Sequence, residues 1–163
     1  MIKGKSIQRD IRLILDNIRS VHNTGSIFRT ADTLGISKIY CLGTTPIPID
    51  RFKNKRKDFA KVALGAEDSV SWEHATSVVS LIMSLKKEGF EIIALEQASN
   101  SIDYKKAVLA DKVVIILGNE VDGVSKELLQ ECDVIAEIPL IGKKESLNVS
   151  VSAGIFLYRL LDK

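Results

Sequence analysis

Metal and disulfide chemistry have little to work with in this chain. Its two cysteines, Cys41 and Cys132, lie far apart, with no CxxC or Cys/His partner at ligand spacing, so neither a zinc site nor a disulfide framework is indicated. Both are expected as buried small hydrophobes. His22 also lacks partners at ligand spacing, and no metal is expected. None of the ten glycines falls in a GxGxxG pattern, and the GxxxxGKS/T, HExxH and GxSxG patterns are missing. That removes the usual support for dinucleotide, nucleoside-triphosphate, zinc-peptidase and serine-hydrolase chemistry. No run reaches the ~18 apolar residues of a membrane span, and the opening Met1 to Lys5 does not begin a signal peptide. The expected compartment is the cytoplasm, with no membrane contact. The net charge of +2 is too small to mark a nucleic-acid binder by itself.

What is present is a chain of 163 residues, 45% hydrophobic and 27% charged. That composition fits one compact domain over 1–163 with a sizeable core. Ile11 to Leu15, Lys38 to Leu42, Ile92 to Leu95, Val113 to Leu117 and Val134 to Ile138 read as strands, the last three as continuous apolar runs. Between them the spacing predicts helices over Thr24 to Leu34, closed by Gly35, over Val78 to Leu85, and over Ser125 to Glu131 with Ser125 as cap. Phe59 to Leu64 adds a turn or two, and Leu147 to Leu161 is assigned as helix although its first residues alternate like a strand. Leu147, Val149 and Val151 are expected mainly in the core, and Trp72 is expected as a packing anchor. Strands alternating with helices predict an α/β fold, an open and mostly parallel sheet with helices on both faces.

In such sheets ligands sit beyond the carboxyl ends of the strands. Three strand-end segments stand out. Asn23 to Ala31 enters a helix bearing Arg29, Leu117 to Gly123 leaves the most apolar strand, and Ile138 to Gly142 is followed by Ser146 to Ser150. Glycines and small polar residues at strand ends suit a ligand held mainly through backbone groups. Each residue also has a plainer reading: Arg29 as a surface cation, Glu120 as a loop anchor, Ser146 and Asn148 as helix caps.

Taken in series, these segments resemble the three signature motifs of the SpoU (TrmH-like) family of the SPOUT methyltransferase superfamily. Asn23 and Arg29 match the first motif. Gly118, Glu120 and Gly123 match the second. Ile138, Pro139 and Gly142, then Ser146 to Val151, match the third, with Leu140 where methionine is common and Ser152 where alanine is common. The resemblance runs from about Asp16 to Tyr158. It implies a carboxyl-terminal trefoil knot, a homodimer, and S-adenosylmethionine as cofactor, held at positions matching Leu95, Gly118, Ile138 and Leu147. It also implies methyl transfer to a ribose 2′-hydroxyl of tRNA or rRNA. Asn23, Arg29, Glu120, Ser146 and Asn148 become the candidate catalytic residues.

A ribose hydroxyl is a poor nucleophile until its proton leaves or is polarised. A guanidinium is a poor base, so Arg29 is read as clamping a phosphate or stabilising the developing oxyanion. The proton is left to Glu120, a phosphate oxygen or water. Arg51, Lys53, Lys55, Arg56 and Lys57, after Pro46 and Pro48, are candidate RNA contacts, as are Lys3, Lys5, Arg9 and Arg12. With no added RNA-binding domain apparent, these segments and the dimer surface are expected to select the RNA. A non-catalytic RNA-binding domain would have lost Arg29 or the cofactor positions. A base-directed enzyme would lack the pairing of NxxxxxR with SLN.

Overall fold

The computed structural model describes residues 9–161. Seven strands form one sheet: β1 (Asp10–Asp16), β2 (Lys38–Leu42), β3 (Trp72–Ala75), β4 (Glu91–Leu95), β5 (Ile102–Asp103), β6 (Lys112–Leu117) and β7 (Val134–Glu137). Their spatial order is β3-β2-β1-β6-β4-β7-β5, and all six pairings are parallel. The helices are α1 (Val21–Leu34), α2 (Lys57–Ala63), α3 (Ala66–Ser69), α4 (Val78–Lys87), α5 (Lys126–Gln130) and α6 (Val149–Leu161). No described helix is long and apolar enough to cross a membrane.

The continuous apolar strands reflect burial on both faces. Leu13 and Leu15 of β1 join one core with Ile27, Phe28, Phe59 and Phe156 from α1, α2 and α6. Ile14, between them, points into the other core with Ile82 and Leu85 of α4 and Leu128 of α5. Phe28 and Phe59 meet edge to face at 5.1 Å, a geometry that adds about 0.5–1.5 kcal/mol beyond the area buried.

Helix α1 begins three residues earlier than the spacing predicts. Ser20 is its cap, accepting from the Asn23 N–H, and Gly35 ends it in the left-handed region at φ 68°. Ser125 does precede α5, but its side chain makes no capping bond; its N–H is donated to Asp16 instead. Helix α6 starts at Val149, and Leu147 and Val151 are 40% and 50% exposed, so these two are not core residues. Cys41 is buried as expected, while Cys132 is half-buried. Burial pushes both thiols up to about 12.

Arg12 does not serve as a free phosphate contact. It pairs with Asp10 and Glu88, donates to Tyr40 and lies over Phe90, near the amino ends of the strands. Lys3 and Lys5 lie outside the described residues.

Candidate active site

The strand order reverses between β1 and β6, whose chains leave toward opposite edges of the sheet. Ligand sites in open parallel sheets form at such switch points. Here the loop after β1 (Asn17 to Ser20) meets the loop after β6 (Gly118 to Ser125). Asn119 Nδ2 donates to the Asn17 carbonyl at 2.7 Å, and the two ends are tied.

Four further bonds set the β6 loop. Its neck is closed by reciprocal backbone bonds between Asn119 and Gly123 at 2.9 and 3.0 Å. Glu96, at the end of β4, accepts from the Val124 N–H at 2.9 Å, and Asp16, at the end of β1, accepts from the Ser125 N–H at 2.8 Å. Close approach explains both glycines. A Cβ on Gly118 would lie 2.3 Å from the Gly123 carbonyl carbon and from the Val124 nitrogen. One on Gly123, at φ 71°, would lie 2.1 Å from Glu96 Oε2.

The loop presents Glu120 to the start of α1. Its carboxylate accepts from the backbone of Arg19 (3.1 Å) and Ser20 (3.3 Å) and from Asn23 Nδ2 (3.0 Å). Partial burial would raise this carboxyl, but the bonds from Asn23, Arg19 and Ser20 outweigh it and lower its pKa. Glu120 is thus an ionised anchor that ties the β6 loop to the start of α1.

The third segment joins through Asn148. Its Nδ2 donates to Asn23 Oδ1 at 3.0 Å, while its Oδ1 accepts from the N–H groups of Ser150 and Val151 at the start of α6. Asn23, almost fully buried at 7% exposure, therefore couples Glu120 to Asn148.

In front of this network lies a cavity of ≈330 Å³, within the range of small-ligand sites. The four sequence-derived cofactor positions, Leu95, Gly118, Ile138 and Leu147, all line it, as do Glu120 and Ser146. Asn23 and Asn148 do not. Glu96, Asp122, Glu137 and Glu145 also line it, and no lysine or arginine does. Glu96 went unnoticed in the sequence; the available signal was a carboxylate at the carboxyl end of an apolar strand.

Arg29 is not brought to the cavity. It is exposed and lies six residues beyond Asn23, about 9 Å further along α1 and about 120° around it. In the basic segment, Lys55 pairs with Glu67 and Asp68, and Arg56 with Asp58. Those bonds raise both pKa values, Lys55 chiefly through Asp68 and Arg56 through Asp58. Arg51, Lys53 and Lys57 enter none of the ion pairs among the described residues.

A parallel α/β sheet with a cavity at its switch point, walled by three strand-end loops, defines a doubly wound protein built to hold a small ligand at its carboxyl edge. Residues 10–158 match the model of the SpoU rRNA Methylase family, and the chain belongs to that family. It is 35% identical over 145 residues to the 23S rRNA (guanosine-2′-O-)-methyltransferase RlmB of Neisseria meningitidis serogroup B, covering 89% of this chain and 55% of that protein. The chain thus spans about half the length of this curated relative. Among solved structures, the AdoMet-bound rRNA methyltransferase from Sinorhizobium meliloti aligns with a TM-score of 0.82 at 29% identity, over 93% of this chain and 55% of the other. The A. aeolicus TrmH/SpoU tRNA modifying enzyme aligns at 0.81 and 29%, over 94% and 74%.

Proposed function

We propose that this protein is an S-adenosylmethionine-dependent RNA methyltransferase acting on a ribose 2′-hydroxyl of tRNA or rRNA. The observation that carries the reading is that Leu95, Gly118, Ile138 and Leu147 line one cavity together, backed by the Asn148–Asn23–Glu120 chain of hydrogen bonds. The residues present fit the donor. A Cβ at Gly118 would strike Gly123 and Val124 across the neck of its own loop, so glycine is what lets this loop close beside the cavity. The lining bears carboxylates and no cationic side chain, which favours a ligand with positive charge. When bound, S-adenosylmethionine supplies an electrophilic methyl group on a sulfonium.

The chain's own groups then have distinct tasks. Glu120, held ionised, fixes the loop against the start of α1 and adds negative potential to the cavity. Asn23 and Asn148 keep the three loops in register. Arg29, as a permanent cation, clamps the phosphate next to the target ribose and stabilises the developing oxyanion. The hydroxyl proton passes to a phosphate oxygen or to water.

Arg29 lies outside the cavity of its own chain, and α6, which packs against α1, carries a partly exposed apolar stripe of Val151, Ile155 and Tyr158. Both features support a homodimer, the stripe forming an interface between copies. The same family reading carries the trefoil-knotted path of the carboxyl-terminal segment and a cytoplasmic location. RNA enters across Arg51, Lys53 and Lys57.

The test is to incubate the purified protein with methyl-labelled S-adenosylmethionine and total RNA from a strain lacking the gene, then map modified riboses by mass spectrometry. Label in a 2′-O-methyl nucleotide is the expected result, with Arg29→Ala binding donor normally but transferring nothing. Label confined to bases, or full activity of Arg29→Ala, overturns the assignment.

A further inference from the structure

The loop between β2 and α2 holds an aromatic side chain that the function above leaves unused. Phe52 is 68% exposed, yet its backbone is tightly fixed. Asp50 Oδ1 accepts from the N–H groups of Phe52 (2.8 Å) and Asn54 (2.9 Å), and Ile49 bridges to Lys55 across the base of the turn. The Arg51 guanidinium lies over the ring, 4.7 Å from its centroid. A cation and an aromatic face are therefore offered to solvent together, on a turn that is already ordered.

The loop stands on the same edge of the sheet as the cavity, because it leaves the carboxyl end of β2. Thr45 ties its root to β1, accepting from the Ile18 N–H and donating to the Leu15 carbonyl. Helix α2, which follows, packs closely on α1 where Val62 meets Gly25. The nearby cations Arg51, Lys53 and Lys57 are engaged in no ion pair among the described residues.

We propose that Phe52 and Arg51 form a stacking platform for one unpaired base of the bound RNA; this rests on the RNA reading above. An aromatic face beside unpaired cations is how single strands are held: the cations track the phosphates and the ring takes the π-face of a base. The guanidinium adds its own attraction to the ring and to phosphate. A protein partner fits less well, since interface cores are depleted of lysine and Lys53 adjoins the ring in sequence.

Binding of a labelled single-stranded 20-nucleotide RNA of mixed sequence, and of its blunt duplex, tests the platform by fluorescence anisotropy. Phe52→Ala and Phe52→Leu are expected to weaken single-strand binding about 5- to 100-fold and to leave duplex binding and the salt slope unchanged. Phe52→Trp should restore affinity. Equal affinity of wild type and Phe52→Ala overturns the proposal, as does equal weakening toward strand and duplex. A changed oligomeric state of Phe52→Ala in light scattering, with RNA affinity intact, assigns the ring to a protein interface and also overturns it. The two readings separate cleanly. Ribose labelling by wild type with no effect of Phe52→Ala sinks only the platform, whereas loss of single-strand affinity in a protein that transfers no methyl group sinks only the enzyme reading.

Discussion

Asn23 donates its side-chain amide to Glu120 at 3.0 Å, across 97 positions of sequence. The same side chain accepts from Asn148 at 3.0 Å, so one amide spans three loops. Replacing it with alanine leaves a partly buried carboxylate short of one donor and the Asn148 amide without this acceptor. Asn23→Ala is expected to lose about 1–3 kcal/mol of stability, measured by urea denaturation, and to lose donor affinity by calorimetry. Unchanged stability would show that the loops are held by other means.

The pH dependence follows from the same carboxylate. The folded pKa of Glu120 is lowered, so its contribution to stability is fully present above the ordinary carboxyl value of ~4.3 and is lost as pH falls through the lower folded value. Glu120→Gln should therefore be less stable than wild type at pH 7. The gap should close in acid, below about pH 4, in denaturation curves taken across that range. A gap independent of pH would mean that Glu120 acts by shape alone.

Gly123 and Glu96 form a matched pair. Alanine at 123 meets two obstacles, the left-handed φ of 71° and the Glu96 carboxylate 2.1 Å from its Cβ. The backbone strain alone costs about 1–2 kcal/mol. Gly123→Ala should bind donor poorly, and Glu96→Ala should relieve part of the damage, giving a double variant milder than the sum of the singles. Strict additivity of the two thermal shifts would contradict the contact.

Charge in the β2–α2 loop is unequally available. Neutralising Arg51, Lys53 and Lys57 should reduce the slope of log affinity against log salt by about 0.7 for each lost contact with single-stranded RNA. Lys55 and Arg56 are already paired within the chain, and their replacement should change the slope little. Equal effects from both groups would show that the internal pairs open on binding.

Much of this was legible in the sequence where burial imposes a pattern. The central strands β4, β6 and β7 are apolar runs because helices cover both faces, and Gly35 marks the end of α1 because a left-handed residue is needed there. The edge strands β3 and β5 went unread: Trp72–Ala75 and Ile102–Asp103 are short, partly exposed and without an apolar run. Leu147 and Val151 misled for the opposite reason. They are apolar without being covered within this chain, and hydrophobicity alone does not say which surface will cover a residue. The motif residues were visible as types at strand ends. Their partners were not, since the bonds that Glu120 accepts from Arg19, Ser20 and Asn23 depend on the reversal of strand order between β1 and β6, which local patterning does not encode.

That reversal also shapes how the chain comes to be. Strand β1 lies between β2 and β6, and Asp10 is in register with Lys112. During synthesis at ~5–20 residues per second, the first strand waits about 5–20 s for its inner neighbour to be made. Until then Leu13, Ile14 and Leu15 present an open strand edge, so nascent chains stalled before residue 112 are expected to need chaperone protection and to be degraded rather than to fold.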